Sequence, residues 1–150
     1  MYRKGAAAII MNKTKEILLV NLESFEDKYF TIPGGGVNIG ETLEEAIYRE
    51  IKEELNLEKK HLEYVGKSRQ PLKIKFKVLK ITENNREYDG SERYFFGFNF
   101  IGVNDTIKVQ KGEVRYYKWV SLNKLKNYLL FDNQLKDSLE KISEIFHYTK

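Results

Sequence analysis

The sequence predicts an α/β fold, a mixed β-sheet packed between helices. Strand-like segments lie on both sides of a central stretch, residues 42–55, whose apolar positions recur at helical spacing. Two further helical stretches close the chain. With 150 residues, 41% of them hydrophobic, the chain is long enough for a single domain whose core stands without disulfide or metal staples.

The elements follow in order. Residues 5–11 and 16–22 read as two strands joined by a turn near Asn12-Lys13-Thr14. A short strand, Tyr29 to Ile32, runs into Pro33-Gly34-Gly35-Gly36. Thr42 and Glu45 make a Thr-x-x-Glu capping box, in which the hydroxyl and the carboxylate each satisfy an orphan backbone donor at the helix start. Asn56 can end that helix, since asparagine tolerates the left-handed conformation a C-terminus needs. Leu72, Ile74, Phe76 and Val78 alternate with Lys73, Lys75 and Lys77, the pattern of a half-exposed strand. Asp89-Gly90 marks a hairpin turn, and Tyr94 to Ile101 is aromatic enough to be buried on both faces. Val114 to Val120 is a last strand, followed by a short helix over 121–130 and a longer one over 133–147.

Composition excludes several chemistries. The absence of cysteine removes a disulfide scaffold, a thiol nucleophile and a thiolate zinc site. The two histidines, His61 and His147, are too far apart in sequence to suggest a zinc pair. The apolar run Ala6–Ile10 is short and closed by Asn12, Lys13 and Lys15, unlike a signal peptide. No stretch reaches the ~18 apolar residues of a membrane span, so a cytoplasmic protein without membrane partners is expected. The net charge of +4 is unevenly spread. Between Gly35 and Leu57 six acids meet only Arg49 and Lys52, while the remaining chain is strongly basic. An acidic island in a basic chain suggests a metal site facing a polyanion.

The position of the acids sharpens that reading. At about 100° per residue, Leu43, Ile47, Ile51 and Leu55 define the face that meets the sheet, and Glu50 and Glu54 fall inside the same arc, with Glu53 at its edge. A purely structural helix avoids burying unpaired carboxylates, which costs several kcal/mol each. Glu50, Glu53 and Glu54 also stand at i, i+3 and i+4, so like charges converge unless a cation sits among them. Oxygen-only donors select a hard ion, Mg²⁺ with Mn²⁺ as a substitute. Ahead of the helix, the Gly34-Gly35-Gly36 loop allows backbone to approach a ligand closely and delivers amides suited to phosphate. It is not a Walker A loop, because no Gly-Lys-Ser/Thr follows.

Gly35, five residues, Glu41, seven residues, then Arg49-Glu50-Ile51-Lys52-Glu53-Glu54-Leu55-Asn56-Leu57 resembles the Nudix box. Asn56 stands where that family usually has glycine. The resemblance implies an α/β/α sandwich and Mg²⁺-dependent hydrolysis of a pyrophosphate bond in a nucleotide-like substrate. It implies Glu50, Glu53 and Glu54 as metal ligands, Glu50 also as a base, Arg49 as the residue holding Glu50, Glu41 as an outer carboxylate, and the Gly34 carbonyl as a further contact. A loop glutamate ahead of the Trp119 strand often joins such a site, and Glu113 is the candidate, both as ligand and as catalytic group.

Substrate choice is less legible. Gly35 and Gly36 are the loop candidates. Lys73, Lys75 and Lys77, or Arg3, Arg69 and Arg93, could meet phosphates, and Phe96 with its aromatic neighbours could stack on a base; a solvated strand face and an aromatic core are the plainer readings. A nucleoside triphosphate leads, followed by ADP-ribose or another nucleoside diphosphate sugar. Nucleic acid is expected only as an RNA 5′ end. A Nudix-fold module that binds without catalysis, or a basic nucleic-acid adaptor, would not need the box carboxylates on an apolar helix face. Monomer and homodimer both remain open.

Overall fold

The computed structural model describes residues 2–81 and 87–147, with the side chains of 76–81 and 87 outside that set. Seven strands form one mixed sheet: β1 (Tyr2–Met11), β2 (Glu16–Leu22), β3 (Gly34–Gly36), β4 (Leu62–Lys67), β5 (Leu72–Ile81), β6 (Glu87–Phe100) and β7 (Val114–Ser121). Two helices, α1 (Leu43–Leu55) and α2 (Gln134–Phe146), cover its faces.

The central strand β1 pairs with β6 in parallel along its whole length, Tyr2 opposite Gly90 through to Met11 opposite Asn99. Its other edge is shared between β3, which lies antiparallel with Gly35 opposite Ala6, and β2, which joins at Met11 and Ile17. Beyond β2 lies β7, and β6 carries β4 and β5 on its far edge. Alternation then sorts the core into two layers. Ala6, Ala8 and Ile10 face α1 with Ile47, Ile51, Leu55, Phe96 and Phe98. Ala7, Ile9 and Met11 face the other way, with Phe95, Ile142 and Ile145 of the α2 layer. The small alanines let both helical layers approach the sheet, so the expected sandwich of a mixed sheet between helices is what forms.

Helix α1 begins and ends where its sequence signals lie. Thr42 Oγ1 accepts from the Glu45 amide at 3.1 Å and Glu45 Oε1 accepts from the Thr42 amide at 2.9 Å. Asn56 takes φ 60° and ψ 27°, closing the helix in the left-handed region. The terminal region also matches: a 3₁₀ stretch at Leu122–Asn127 precedes α2.

Three expectations need correction. The segment before the glycines makes only one isolated bridge, Thr31 to Val20, and the glycines themselves form β3. A Cβ at Gly34 would lie 2.2 Å from the Ala6 carbonyl oxygen, so only glycine permits this pairing. Asp89-Gly90 lies inside β6 and not in a turn. Gly90 instead admits the Tyr2 ring and the Ile74 carbonyl, which a Cβ would meet at 2.7 and 2.5 Å. The β5–β6 connection falls at residues 82–86, outside the described residues. The alternation expected in β5 is also broken, since Ile74 is exposed along with Lys73 and Lys75; Phe76, Lys77 and Val78 lie beyond the described side chains. Strand β4, which no pattern announced, pairs with β6 from Leu62 opposite Phe100 to Lys67 opposite Phe96. No helix among the described residues is long and apolar enough to cross a membrane.

Candidate active site

The carboxylates of Glu50, Glu54 and Glu113 each bring an oxygen within 4.8 Å of the other two. Two come from α1 and the third from the turn before β7. Glu54 is only 1% exposed, and its Oε1 accepts the Gly34 amide at 2.9 Å. Glu50 lies against Gly35, where an added Cβ would meet its carboxyl at 2.5 Å. The second glycine of β3 is therefore the seat of the Glu50 carboxylate, and the first supplies a donor to Glu54.

Arg49 organises the outer rim. Its Nε and Nη2 bond the two Glu41 oxygens at 2.6 and 3.0 Å, Nη1 bonds Glu50 Oε1 at 2.9 Å and Glu53 Oε2 at 3.3 Å, and Nη2 also bonds the Gly36 carbonyl at 2.9 Å. The fork geometry of a guanidinium suits this bidentate work. Glu53 is not drawn into the close group. Its side chain is 48% exposed and turned to Arg49, because it sits at the flank of the buried arc and not within it.

The charges respond to this crowding. Burial first, then the Glu50 and Glu113 charges, push the Glu54 carboxyl up to about 8, against the Gly34 amide and Arg93. Burial likewise raises Glu50, opposed by Arg49. The Glu41 bond holds Arg49 above its ordinary value, and the same bond holds Glu41 below the usual carboxylate range. A buried pair of acids with a third beside it, all oxygen donors, fits a hard divalent cation. An unfolded glutamate titrates near about 4.3, so the folded chain without cation keeps a proton on Glu54 that the unfolded chain has released. Stability linked to this group is thus present below about pH 4 and lost as pH rises through about 8. In EDTA, the melting temperature is expected to fall between pH 6 and 8.5, and Glu54→Gln should flatten that fall. An equal slope in both proteins would contradict the assignment.

The other sequence candidates separate. Phe96 is 1% exposed and belongs to the core beneath α1, so a base cannot stack on it without displacing that packing. It lines, with Ile47, Tyr48, Tyr64 and Phe98, a cavity of about 250 Å³ on the opposite flank of α1 from Glu50. Arg69 is tied to α2, its amide donating to Glu144 Oε2 at 2.6 Å while the guanidinium stays 90% exposed. It is not brought to the carboxylates. Of the other arginine candidates, Arg93 comes near the carboxylates and Arg3 reaches the neighbouring Gly36. The Glu54 and Glu50 charges oppose the downward pull of burial on Arg93, and the Arg3 guanidinium covers Gly36, where a Cβ would meet Nη2 at 2.4 Å. Their approach depends on the β1–β6 and β1–β3 pairings, which no local sequence signal announces.

The NUDIX domain family model matches residues 1–142. The chain belongs to the Nudix family. Among Nudix relatives, it is 30% identical over 129 residues to an RNA pyrophosphohydrolase of Orientia tsutsugamushi (strain Boryong), covering 84% of this chain and 79% of that one. With an RNA pyrophosphohydrolase of Pelagibacter ubique it shares 27% over 150 residues, covering 97% and 94%. The fold is similar to a C. elegans Ap4A hydrolase, with TM-score 0.71 and 20% identity over 97% of this chain and 98% of that one. It is also similar to the E. coli dihydroneopterin triphosphate pyrophosphohydrolase, with TM-score 0.72 and 16% identity over 99% of each. Family and relatives together make this Nudix chain a pyrophosphohydrolase, and its acidic cluster is of the kind that binds a divalent metal ion.

Proposed function

We propose that the chain hydrolyses a pyrophosphate bond in the 5′-triphosphate of an RNA end, using a divalent cation, Mg²⁺ first, held by Glu50, Glu54 and Glu113. The observation that carries the chemistry is the convergence of these three carboxylates beside the glycine strand. The RNA end is supported by the names and coverage of the two curated relatives, together with the basic groups around the cluster.

A cation bound there neutralises charge on the diphosphate and lowers the pKa of an attacking water. Glu50 accepts the proton of that water while Arg49 holds its Oε1; burial raises its pKa against the pull of Arg49. Arg49 keeps Glu50 in place and offsets the acid cluster, while Glu53 adds a carboxylate on the solvent side. Gly34 would offer its carbonyl to the cation, while the space that Gly35 and Gly36 leave open holds the Glu50 carboxylate and the Arg3 guanidinium in place of a phosphate. Arg3 and Arg93 attract the phosphate chain. Water oxygen joins one phosphorus, the bridging P–O bond breaks, and a 5′-monophosphate end and pyrophosphate leave.

A free nucleoside triphosphate and ADP-ribose share the same diphosphate group, so a side-by-side assay decides between them. With Mg²⁺, a 5′-triphosphorylated oligoribonucleotide is expected to be converted to its 5′-monophosphate with kcat/KM at least about tenfold above that of free nucleoside triphosphates, a difference of ~1.4 kcal/mol in transition-state binding. Faster turnover of a free triphosphate or of ADP-ribose would overturn the RNA assignment and leave the chemistry standing.

A further inference from the structure

Of the three converging carboxylates, two are fixed by their place on α1. Glu113 is on an exposed turn, and something else must hold it. We propose that Glu23 is a positioning residue that sets the Glu113 carboxylate for cation binding, an inference that rests on reading Glu113 as a ligand.

Glu23 grips the turn at two points. Its Oε2 accepts the Gly112 amide at 2.7 Å, and its own amide donates to the Glu113 carbonyl at 2.9 Å. Gly112 has φ 95°, a conformation that side chains rarely adopt, so the amide facing Glu23 belongs to a turn built around glycine. The other end of the turn is stapled to the end of α1, with the Gln110 amide donating to the Glu54 carbonyl at 3.1 Å and the Lys108 amide to that of Leu55 at 3.0 Å. Glu113 is thus held between the helix that carries its two partners and the loop that carries Glu23.

That loop is itself braced. Arg115, two residues beyond Glu113, bonds the carbonyls of Glu23 and Phe25 at 3.3 and 3.2 Å, Asn21 Oδ1 at 2.7 Å and the Asp27 carboxylate. Fully buried Asn21 spends its amide on the carbonyls of Glu26 and Tyr29 at 3.0 and 2.8 Å. Residues 21–29 therefore form a folded brace and not a slack connection. The Glu23–Gly112 bond is exposed, and water can replace it at small cost to the fold. Its geometric effect falls on the neighbouring carboxylate, the behaviour of a group one shell out from a metal, where loss typically costs 10- to 100-fold in affinity.

The test is Mn²⁺ binding to the substrate-free protein, followed by electron paramagnetic resonance, in Glu23→Ala, Glu23→Gln, Glu113→Gln and the Glu23→Ala/Glu113→Gln pair. Glu23→Ala is expected to weaken Mn²⁺ binding roughly tenfold with little change in melting temperature. Glu23→Gln should retain most of the affinity, because its side-chain oxygen accepts the same amide. In the Glu113→Gln background, Glu23→Ala should add nothing, a non-additivity that a general loss of structure would not produce. Wild-type affinity in Glu23→Ala alongside weakened Glu113→Gln would overturn the role of Glu23 alone. The same loss from Glu23→Ala in both backgrounds would overturn it too. Unchanged binding in Glu113→Gln would remove Glu113 from the ligand set, and the role of Glu23 with it.

Discussion

Glutamine in place of Glu54 is expected to lower kcat about a thousandfold without unfolding the protein. The Gly34 amide donates to Glu54 Oε1, and a glutamine oxygen accepts the same bond in the same space. What disappears, once a cation is bound, is a negative charge, buried at 1% exposure beside two other carboxylates. In the absence of cation that charge is a burden, since burial and its neighbours already push the carboxyl up to about 8. The variant should therefore melt at the same or a higher temperature in EDTA. A divalent ion is worth several kcal/mol to the transition state of phosphoryl chemistry, and about 4 kcal/mol corresponds to roughly 10³ in rate. The decisive pair of measurements is kcat at saturating Mg²⁺ and the melting curve. Loss of activity through unfolding, or near-normal turnover, would each contradict the role assigned to Glu54.

Arg49→Lys should lower turnover by about 10- to 100-fold and reduce the melting temperature as well. Arg49 joins Glu41, Glu50, Glu53 and the Gly36 carbonyl through one planar group. An ammonium keeps the charge but cannot reach all four partners in the fixed directions of the fork. Glu50 then loses the bond that orients Oε1, and Glu41, whose carboxyl Arg49 holds below its usual range, loses its strongest partner. Unlike Glu54→Gln, this variant should show both defects together, because the clamp ties the start of the helix to β3. Steady-state kinetics and thermal melts separate the two cases, and an Arg49→Lys protein with wild-type values in both would show that charge alone suffices.

The central helix was readable from sequence because its determinants are local. The Thr42 cap, the Asn56 stop and the placing of Glu50 and Glu54 among Leu43, Ile47, Ile51 and Leu55 all lie within one continuous segment. Spacing alone also suggested that Glu53 converges with them, but a few tens of degrees around the helix put it on the solvent side, where Arg49 takes it. What sequence could not give depends on pairing between distant strands. The parallel β1–β6 ladder brings Arg93 opposite Gly5, and the β1–β3 ladder brings Gly36 opposite the same residue, with Arg3 over it. Gly90 misled for a related reason: its missing side chain makes room for Tyr2 and Ile74, contacts invisible without the fold, and the Asp-Gly pair imitates a turn. Phe96 and Arg69 have side chains suited to a base and a phosphate, yet the two core layers and the Glu144 partner assign them elsewhere.

The most direct test is a crystal grown with Mn²⁺ and examined by anomalous scattering. The account predicts a peak among Glu50, Glu54 and Glu113, within about 2.2 Å of a carboxylate oxygen from each, a typical hard-cation distance. A peak held elsewhere, or bound at α1 without Glu113, would contradict it.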